Sequence, residues 1–362
     1  MKRIVIIGEL KSPNLGDSVI CNVSESLIRK FHNDSTISLI DISIAKRPNT
    51  WLFCKIEHYV RNKIVIVYKF YLYIFSYFYF WKHIPCHSIV VLAGGALIQN
   101  YFAESLVSIL RICRKKKCKI IFFSLGIGPL THIYKRMIEE EILINKNRIS
   151  ISLRDHLDYF DERVKVCRHP DIAICSNIVY QCRYFSKGTV GIGIIDVELY
   201  NVNNPVNIVT EDEYFSGLMK IINILHEKDF RVELFCNGDF SDYAAAERFL
   251  SFSKFKNVTL RQRPTIAEDL VSIISSYQYV IASRLHAIII SYAYKIHCFG
   301  LSWDPKVDEF FSFINMNRNC LHLDQIMNID AQGLIDTLLL TEYDINYYEQ
   351  LQEDVINQIR AL

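Results

Sequence analysis

Apolar and polar positions follow two alternating rhythms along the chain. Short runs rich in β-branched and aromatic residues read as strands: "RIVIIG" at 3–8, "TISLIDI" at 36–42, "SIVVLAGGALI" at 88–98, "KIIFFSLGIGP" at 119–129 and "RISISLRD" at 148–155. Between them, "NLGDSVICNVSESLIRKF" and "SLVSILRICRKKK" carry apolar residues near helical spacing. "VKVCRHPDIAI" reads as a sixth strand. The composition then changes at "YFSKGTV" near Lys187 and the rhythm restarts, with "TVGIGII", "FRVELFCN", "NVTLRQ", "YQYVIAS" and "KIHCFGLS" as successive strands. Regular alternation of strand and helix predicts an α/β protein built on parallel sheets with helices on both faces. The boundaries expected are an N-terminal domain over 1–186, a second over 187–330, and a helical tail over 331–362 that packs back on the body.

The 362 residues suit two domains better than one core, and 51% apolar with 22% charged residues describes an ordinary globular chain. A formal net charge of +2 provides no chain-wide basic field, so nucleic acid is not expected as a partner. The eleven cysteines are scattered without C-x-x-C or zinc-type spacing, as expected for reduced thiols in a cytoplasmic protein without a structural metal. "MKRIVIIGEL" is interrupted by Gly8 and Glu9 and reads as a first strand, not an export signal.

Residues 64–81, "IVIVYKFYLYIFSYFYFW", hold one charge, Lys69, in an otherwise apolar and aromatic run. Three readings stay open: an aromatic helix packed on the body, a contact with the membrane surface or a lipid carrier, and a membrane span.

In open α/β sheets ligands sit beyond the carboxyl ends of the strands, so the loops there are where chemistry is sought. After the first strand come Asn14, Gly16 and Asp17, which suit either a helix cap or a cleft-facing loop. Gly94–Gly95 and Gly126–Pro129 clear side chains from strand ends, as a backbone that approaches a ligand requires, but no G-x-G-x-x-G supports a dinucleotide site. Arg154 and Asp155 stand at another strand end, where Asp155 caps a helix or Arg154 offers an anion fork. Thr265 and Glu268 have capping-box spacing. The sharpest signal is "VIASRLHAIIISYA", where Ser283 is placed to cap a helix opening with Arg284, Leu285 and His286. A helix N-terminus attracts anions; a guanidinium beside it strengthens that, and an imidazole there is placed to move protons. Asp304, Lys306 and Asp308 form a charged loop after the following strand, either a solvated turn or a source of a third cation. There is no G-x-S-x-G nucleophile elbow and no P-loop.

The motifs "NLGDSVI", "VVLAGGALI", "SLGIGP", "ISLRD", "DIAI", "VIASRLHAIIISYA" and "SWDPKV", in this order, resemble the polysaccharide pyruvyl transferase family over about residues 4–312. The resemblance implies two Rossmann-like domains facing across a cleft, as in GT-B glycosyltransferases. It also implies transfer of pyruvate from phosphoenolpyruvate onto two sugar hydroxyls as a cyclic ketal, in the building of a cell-surface polysaccharide such as an exopolysaccharide or capsule. Arg154 and Arg284 would then hold the donor's carboxylate and phosphate, with Leu285, Lys306, Asn14, Gly94 and Gly95 around the substrates. His286 would be the acid or base, with Asp17 assisting. No cofactor or metal is called for beyond phosphoenolpyruvate as donor substrate; the acceptor is a sugar, lipid-linked or free, and the expected location is cytoplasmic, with the inner face of the membrane as an option. The chain departs from the family pattern at Lys295-Ile296-His297, where Gly-x-Pro is usual. Two other readings share the fold: a GT-B glycosyltransferase using a nucleotide sugar, and a non-catalytic glycan-binding relative.

Overall fold

A computed structural model describes residues 2–43, 65–181 and 186–362, with the backbone alone for 65–72. Two compact units emerge: Met1–Ser12 with Ile20–Ile172 and Asp354–Leu362, and Pro13–Val19 with Ala173–Glu353. The change of unit at Ile172/Ala173 precedes the boundary read from the sequence near Lys187, part of which (182–185) lies outside the described residues. The first turn of the first long helix and most of the tail belong with the second unit.

The first unit carries a parallel six-stranded sheet in the order β2-β1-β3-β4-β5-β6, with β1 Arg3–Gly8, β2 Thr36–Asp41, β3 Ile89–Ala93, β4 Lys119–Leu125, β5 Ile149–Leu153 and β6 Cys167–Arg168. β1 and β3 are adjacent, with Ile4 opposite Ile89 and Ile7 opposite Leu92, and both are buried on both faces, which explains their uninterrupted apolar runs. The sixth strand is shorter than expected. Pro170, which has no N–H to donate, follows it closely, and Ile172–Cys175 turns into a 3-10 helix.

The second sheet, also parallel, has the order β12-β11-β10-β7-β8-β9, with β7 Thr189–Gly193, β8 Arg231–Phe235, β9 Val258–Leu260, β10 Tyr279–Ala282, β11 His297–Ser302 and β12 Cys320–His322. The strand order reverses between β7 and β10, the topological switch point at which such sheets bind ligands. β12, three residues with a polar end, has too little pattern to be read from sequence. β7 is glycine-rich because Tyr277 lies against it: a β-carbon on Gly191 would stand 2.3 Å from the ring. Tyr214, Tyr277, Tyr292 and Phe249 are fully buried around this sheet, each contributing on the order of 2–3 kcal/mol of hydrophobic free energy.

The aromatic stretch is a helix, Val65–His83, packed against Ala103–Lys115 of the same unit. Residue 64 of the stretch lies outside the described residues. No helix among the described residues is long and apolar enough to cross a membrane.

Candidate functional site

The second unit gathers most of the residues singled out. β10 ends at Ala282, and a helix runs from Leu285 to Ala293 with Arg284 at its N-cap position. No side chain caps this helix. Ser283, expected to do so, lies one residue too early, and its fully buried Oγ makes no hydrogen bond. The expected box at Thr265 is replaced as well: Thr265 faces Asp269 (Oγ1–Oδ2 3.3 Å), because that helix begins only at Ala267.

Arg284 is 8% exposed and gripped by Asp242, which accepts from Nε at 2.7 Å and from Nη2 at 2.9 Å. Asp242 is fully buried and also accepts from the amide of Asp196 at 2.9 Å, tying the loops after β7 and β10 together. Burial acts to lower the Arg284 pKa, but the charge and hydrogen bonds of Asp242 more than offset it, with Asp239 and Asp17 adding smaller contributions. For Asp242 burial is the largest influence and raises its pKa against the pull of Arg284. The guanidinium stays charged, so the carboxyl group it grips through two hydrogen bonds is the ionised one. A structural carboxylate thus matches the charge of Arg284 and fixes its orientation. Its Nη1 makes no hydrogen bond within the described residues.

His286 lies in the first turn of the same helix and is 5% exposed; Leu285 beside it is equally buried. The turn that opens the first long helix is pressed against the imidazole, since a β-carbon on Gly16 would meet Nδ1 at 2.0 Å. That turn is pinned by the Leu15 amide donating to the Asn237 carbonyl at 2.8 Å and by the Gly16 amide donating to Asn14 Oδ1 at 3.2 Å. Asn14 thus serves as a local cap, and Asp17 contributes to the field at Arg284.

After β11, Asp304 is the N-cap of helix Pro305–Phe313: it accepts from the Lys306 amide at 3.1 Å and pairs with Lys306 Nζ at 3.1 Å. Lys306 Nζ and the Arg284 guanidinium both lie over Trp303, 4.7 Å and 5.4 Å from its ring centroid. Asp308 turns away to accept from Ser302 Oγ at 2.5 Å. The charged loop thus splits into a cap with its own counter-ion and a carboxylate committed to the strand end.

Sequence reading missed Asp242, Trp303 and Asn237. Trp303 stood in the "SWDPKV" motif and could have been found there; Asp242 lies in an unremarkable helix and Asn237 at a strand end, without a local signal. The Asn237 side chain is buried with both amide atoms unpaired, and the indole Nε1 of Trp303 is likewise buried and unpaired. With Ser283 Oγ, this places unsatisfied polar groups beyond β8, β10 and β11. Each such group costs about 1–3 kcal/mol when left dry and unpaired, the pattern of a site completed by a ligand.

The other candidates belong to the first unit. Arg154 pairs with Asp171 through Nη1 and with Asp155 (Nε–Oδ2 3.3 Å), its side chain 7% exposed, and a β-carbon on Gly126 would meet its Nη2 at 2.8 Å. Asp155 caps no helix; it accepts from the Ile127 amide at 2.9 Å. The amides of Gly126 and Gly128 donate to the carbonyls of Gly95 and Ile98, each at 3.0 Å. These glycine loops bind one another, so the second loop's amides are not open to a ligand as expected; Gly94 has φ +150 and faces Leu97.

A cavity of about 700 Å³, lined by none of these residues, lies between β4, β5 and the helix His132–Ile144, with Phe122, Ile142, Arg163 and His169 in its walls. Size alone does not define a site: this cavity contains one buried polar atom without a partner, Gln358 Oε1, but no cluster of them and none of the residues singled out from the sequence. No cluster of three His, Cys, Asp or Glu among the described residues is placed to hold a metal.

These features sit in a region matched, over residues 14–305, by the model of the family described as polysaccharide pyruvyl transferase. The chain belongs to that family, a class of transferases. Among solved structures, it is similar to S. aureus MnaA in its UDP co-structure (TM-score 0.54, 10% identity, 98% of this chain and 91% of that one). It is also similar to the UDP-GlcNAc 2-epimerase of Methanocaldococcus jannaschii (0.52, 12%, 100% and 99%) and to an α,α-trehalose 6-phosphate synthase of Burkholderia multivorans (0.52, 10%, 99% and 93%). At such identities the likeness shows the fold, GT-B-like with two Rossmann-like units. The comparison with curated proteins gives no match.

Proposed function

We propose that the protein transfers pyruvate from phosphoenolpyruvate to two hydroxyls of a sugar in a cell-surface polysaccharide precursor, forming a cyclic ketal. The observation that carries this reading is the placement of His286 in the first turn of an uncapped helix, beside an oriented guanidinium and among buried polar groups without partners. A small donor with a carboxylate and a phosphate suits that environment: the positive end of a helix without a side-chain cap and Arg284 Nη1 face its oxygens. Lys306, above Trp303, adds a cation of the same sign.

In this reading His286, protonated, gives its proton to the methylene carbon of the donor, and positive charge develops at C2. One sugar hydroxyl bonds to C2 and its proton returns to the now neutral His286; phosphate leaves with the electron pair of the C–O bond; the second hydroxyl closes the ring, its proton passing to a base, for which Asp17 is our candidate. Arg154, locked by two carboxylates in the first unit, is assigned donor binding by the family resemblance alone, and its variant tests that role separately. The reaction places the enzyme in the cytoplasm, where the donor is made.

The test is incubation of the purified protein with phosphoenolpyruvate and candidate sugar acceptors. Phosphate release and an acceptor mass raised by pyruvic acid less one water are expected, and His286→Ala should abolish both. Binding of a UDP-sugar with no response to phosphoenolpyruvate would replace this reading with that of a nucleotide-sugar glycosyltransferase.

A further inference from the structure

We propose that the first unit docks on anionic bilayer surfaces through the outer face of the helix Val65–His83 and the lysines beside it. Ile74, Phe78 and Trp81, spaced by four and three residues, fall on one helix face and are 38%, 68% and 41% exposed, while Ser76 and Phe80 are buried. A water-facing helix stripe is ordinarily polar; this one is apolar and aromatic. Tyr77 stacks on Trp81 with ring centroids 5.9 Å apart, giving amphipathic rings of the kind that settle at headgroup level.

The charge around the stripe identifies the occupant. Residues 65–119 hold eight Lys and Arg against one carboxylate, Glu104, which is buried; Arg111 and Arg114 pair with Glu141 from outside this stretch, which leaves six lysines, although the whole chain is only +2. Lys115 Nζ lies 5.5 Å from the Tyr77 ring centroid and Lys116 Nζ 4.6 Å from that of Trp81, and Lys116 also donates to the carbonyl of Ile84 at 2.6 Å. Lys117 continues this rim into an open groove of about 550 Å³ lined by His87, Lys119, Lys146 and Arg148. Apolar rings edged by cations complement a surface with an apolar interior and anionic headgroups. A second copy related by a two-fold axis would instead bring the lysine rims together. The proposal is independent of the pyruvyl transfer reading and needs no turnover to be tested.

The experiment is cosedimentation of the full chain with vesicles of phosphatidylglycerol and phosphatidylcholine, or of phosphatidylcholine alone, at low and high salt. Expected are strong partitioning to the anionic vesicles, weak partitioning to the neutral ones, and loss with salt. Phe78→Ser/Trp81→Ser should abolish partitioning, and Lys115→Gln/Lys117→Gln should weaken it roughly 30-fold, the effect of two lysines at a charged surface. All four side chains are exposed, so melting temperatures should match the parent; if the aromatic pair unfolds, the lysine pair decides. Equal binding to both vesicle types, no binding, or lysine variants that bind like the parent would overturn the proposal. So would a parent that is dimeric, ignores vesicles, and becomes monomeric with the aromatic double variant.

Discussion

A β-carbon on Gly16 would stand 2.0 Å from Nδ1 of His286 and 2.4 Å from its Cβ. No pair of non-bonded atoms tolerates that separation, so the loop after β1 and the helix after β10 fit only because residue 16 lacks a side chain. Gly16→Ala should therefore displace the imidazole. Turnover is expected to fall by about 100-fold, the cost of misplacing a reacting group by about 1 Å. Stability should change less, because alanine's higher helix propensity, up to about 1 kcal/mol, works against the clash. Phosphate release and a thermal melt on the same sample check this; unchanged turnover would detach His286 from the chemistry.

Asp242 and Arg284 form a buried ion pair whose members respond unequally to mutation. Asp242→Ala leaves an unmatched guanidinium in the interior and should destabilise the protein by about 3–5 kcal/mol in a urea melt. Arg284→Met combined with Asp242→Leu removes both charges and should recover most of that loss while leaving no transfer activity. Arg284→Lys keeps the charge but not the two-pronged grip, so the apparent donor KM is expected to rise. A double variant as unstable as Asp242→Ala would show that packing, not charge matching, dominates this position.

The division between what the sequence disclosed and what it concealed follows from how local each signal is. Runs such as "RIVIIG" and "TVGIGII" mark strands because both of their faces are buried, and the sheet orders then carry the strand-end loops to the places a Rossmann-like fold reserves for ligands. Ser283, Arg284 and His286 stood out because polar groups interrupt an apolar run. Partnership was not legible: Asp242 lies 42 residues from Arg284, and nothing in "FSDYAAAERF" announces it. Helix starts were misjudged by one or two residues at Ser283 and Thr265, where a favourable cap type sits just outside the helix that forms.

Lys295, at the departure from the family's Gly-x-Pro, has φ 57. The bonds Lys295 N–Tyr292 O (3.0 Å) and Ile296 N–Ser291 O (2.9 Å) make this the left-handed C-terminal turn of the helix Leu285–Ala293, a position that glycine fills with least strain. The Lys295 ammonium lies 4.8 Å from the Tyr348 ring centroid, a contact worth about 0.5–1 kcal/mol. Lys295→Gly relieves about 1 kcal/mol of backbone strain and loses that contact. A melting temperature equal to or slightly above the parent's is expected, whereas Lys295→Val, β-branched at positive φ, should melt well below both.

Acidification should weaken the fold through histidines held neutral by burial. Burial lowers the pKa of His169, His226 and His297, partly countered by Asp354 at His169 and by a bond to the Leu338 backbone at His297. With folded values below the ordinary value of about 6.5, the unfolded chain binds more protons as the pH drops past that point. The stability these groups contribute is therefore complete above about pH 6.5 and is lost as pH falls through their depressed folded values. Melting temperatures should be level near neutrality and decline below about pH 6.5. His226 is the clearest contributor: burial is its one cause, and its Nε2 is buried without a partner. His226→Phe retains the edge-on contact with Phe255, whose ring centroid is 5.7 Å away, while removing the titration. Its melting temperature should fall less steeply on acidification than the parent's; an unchanged slope would assign the acid sensitivity to other groups.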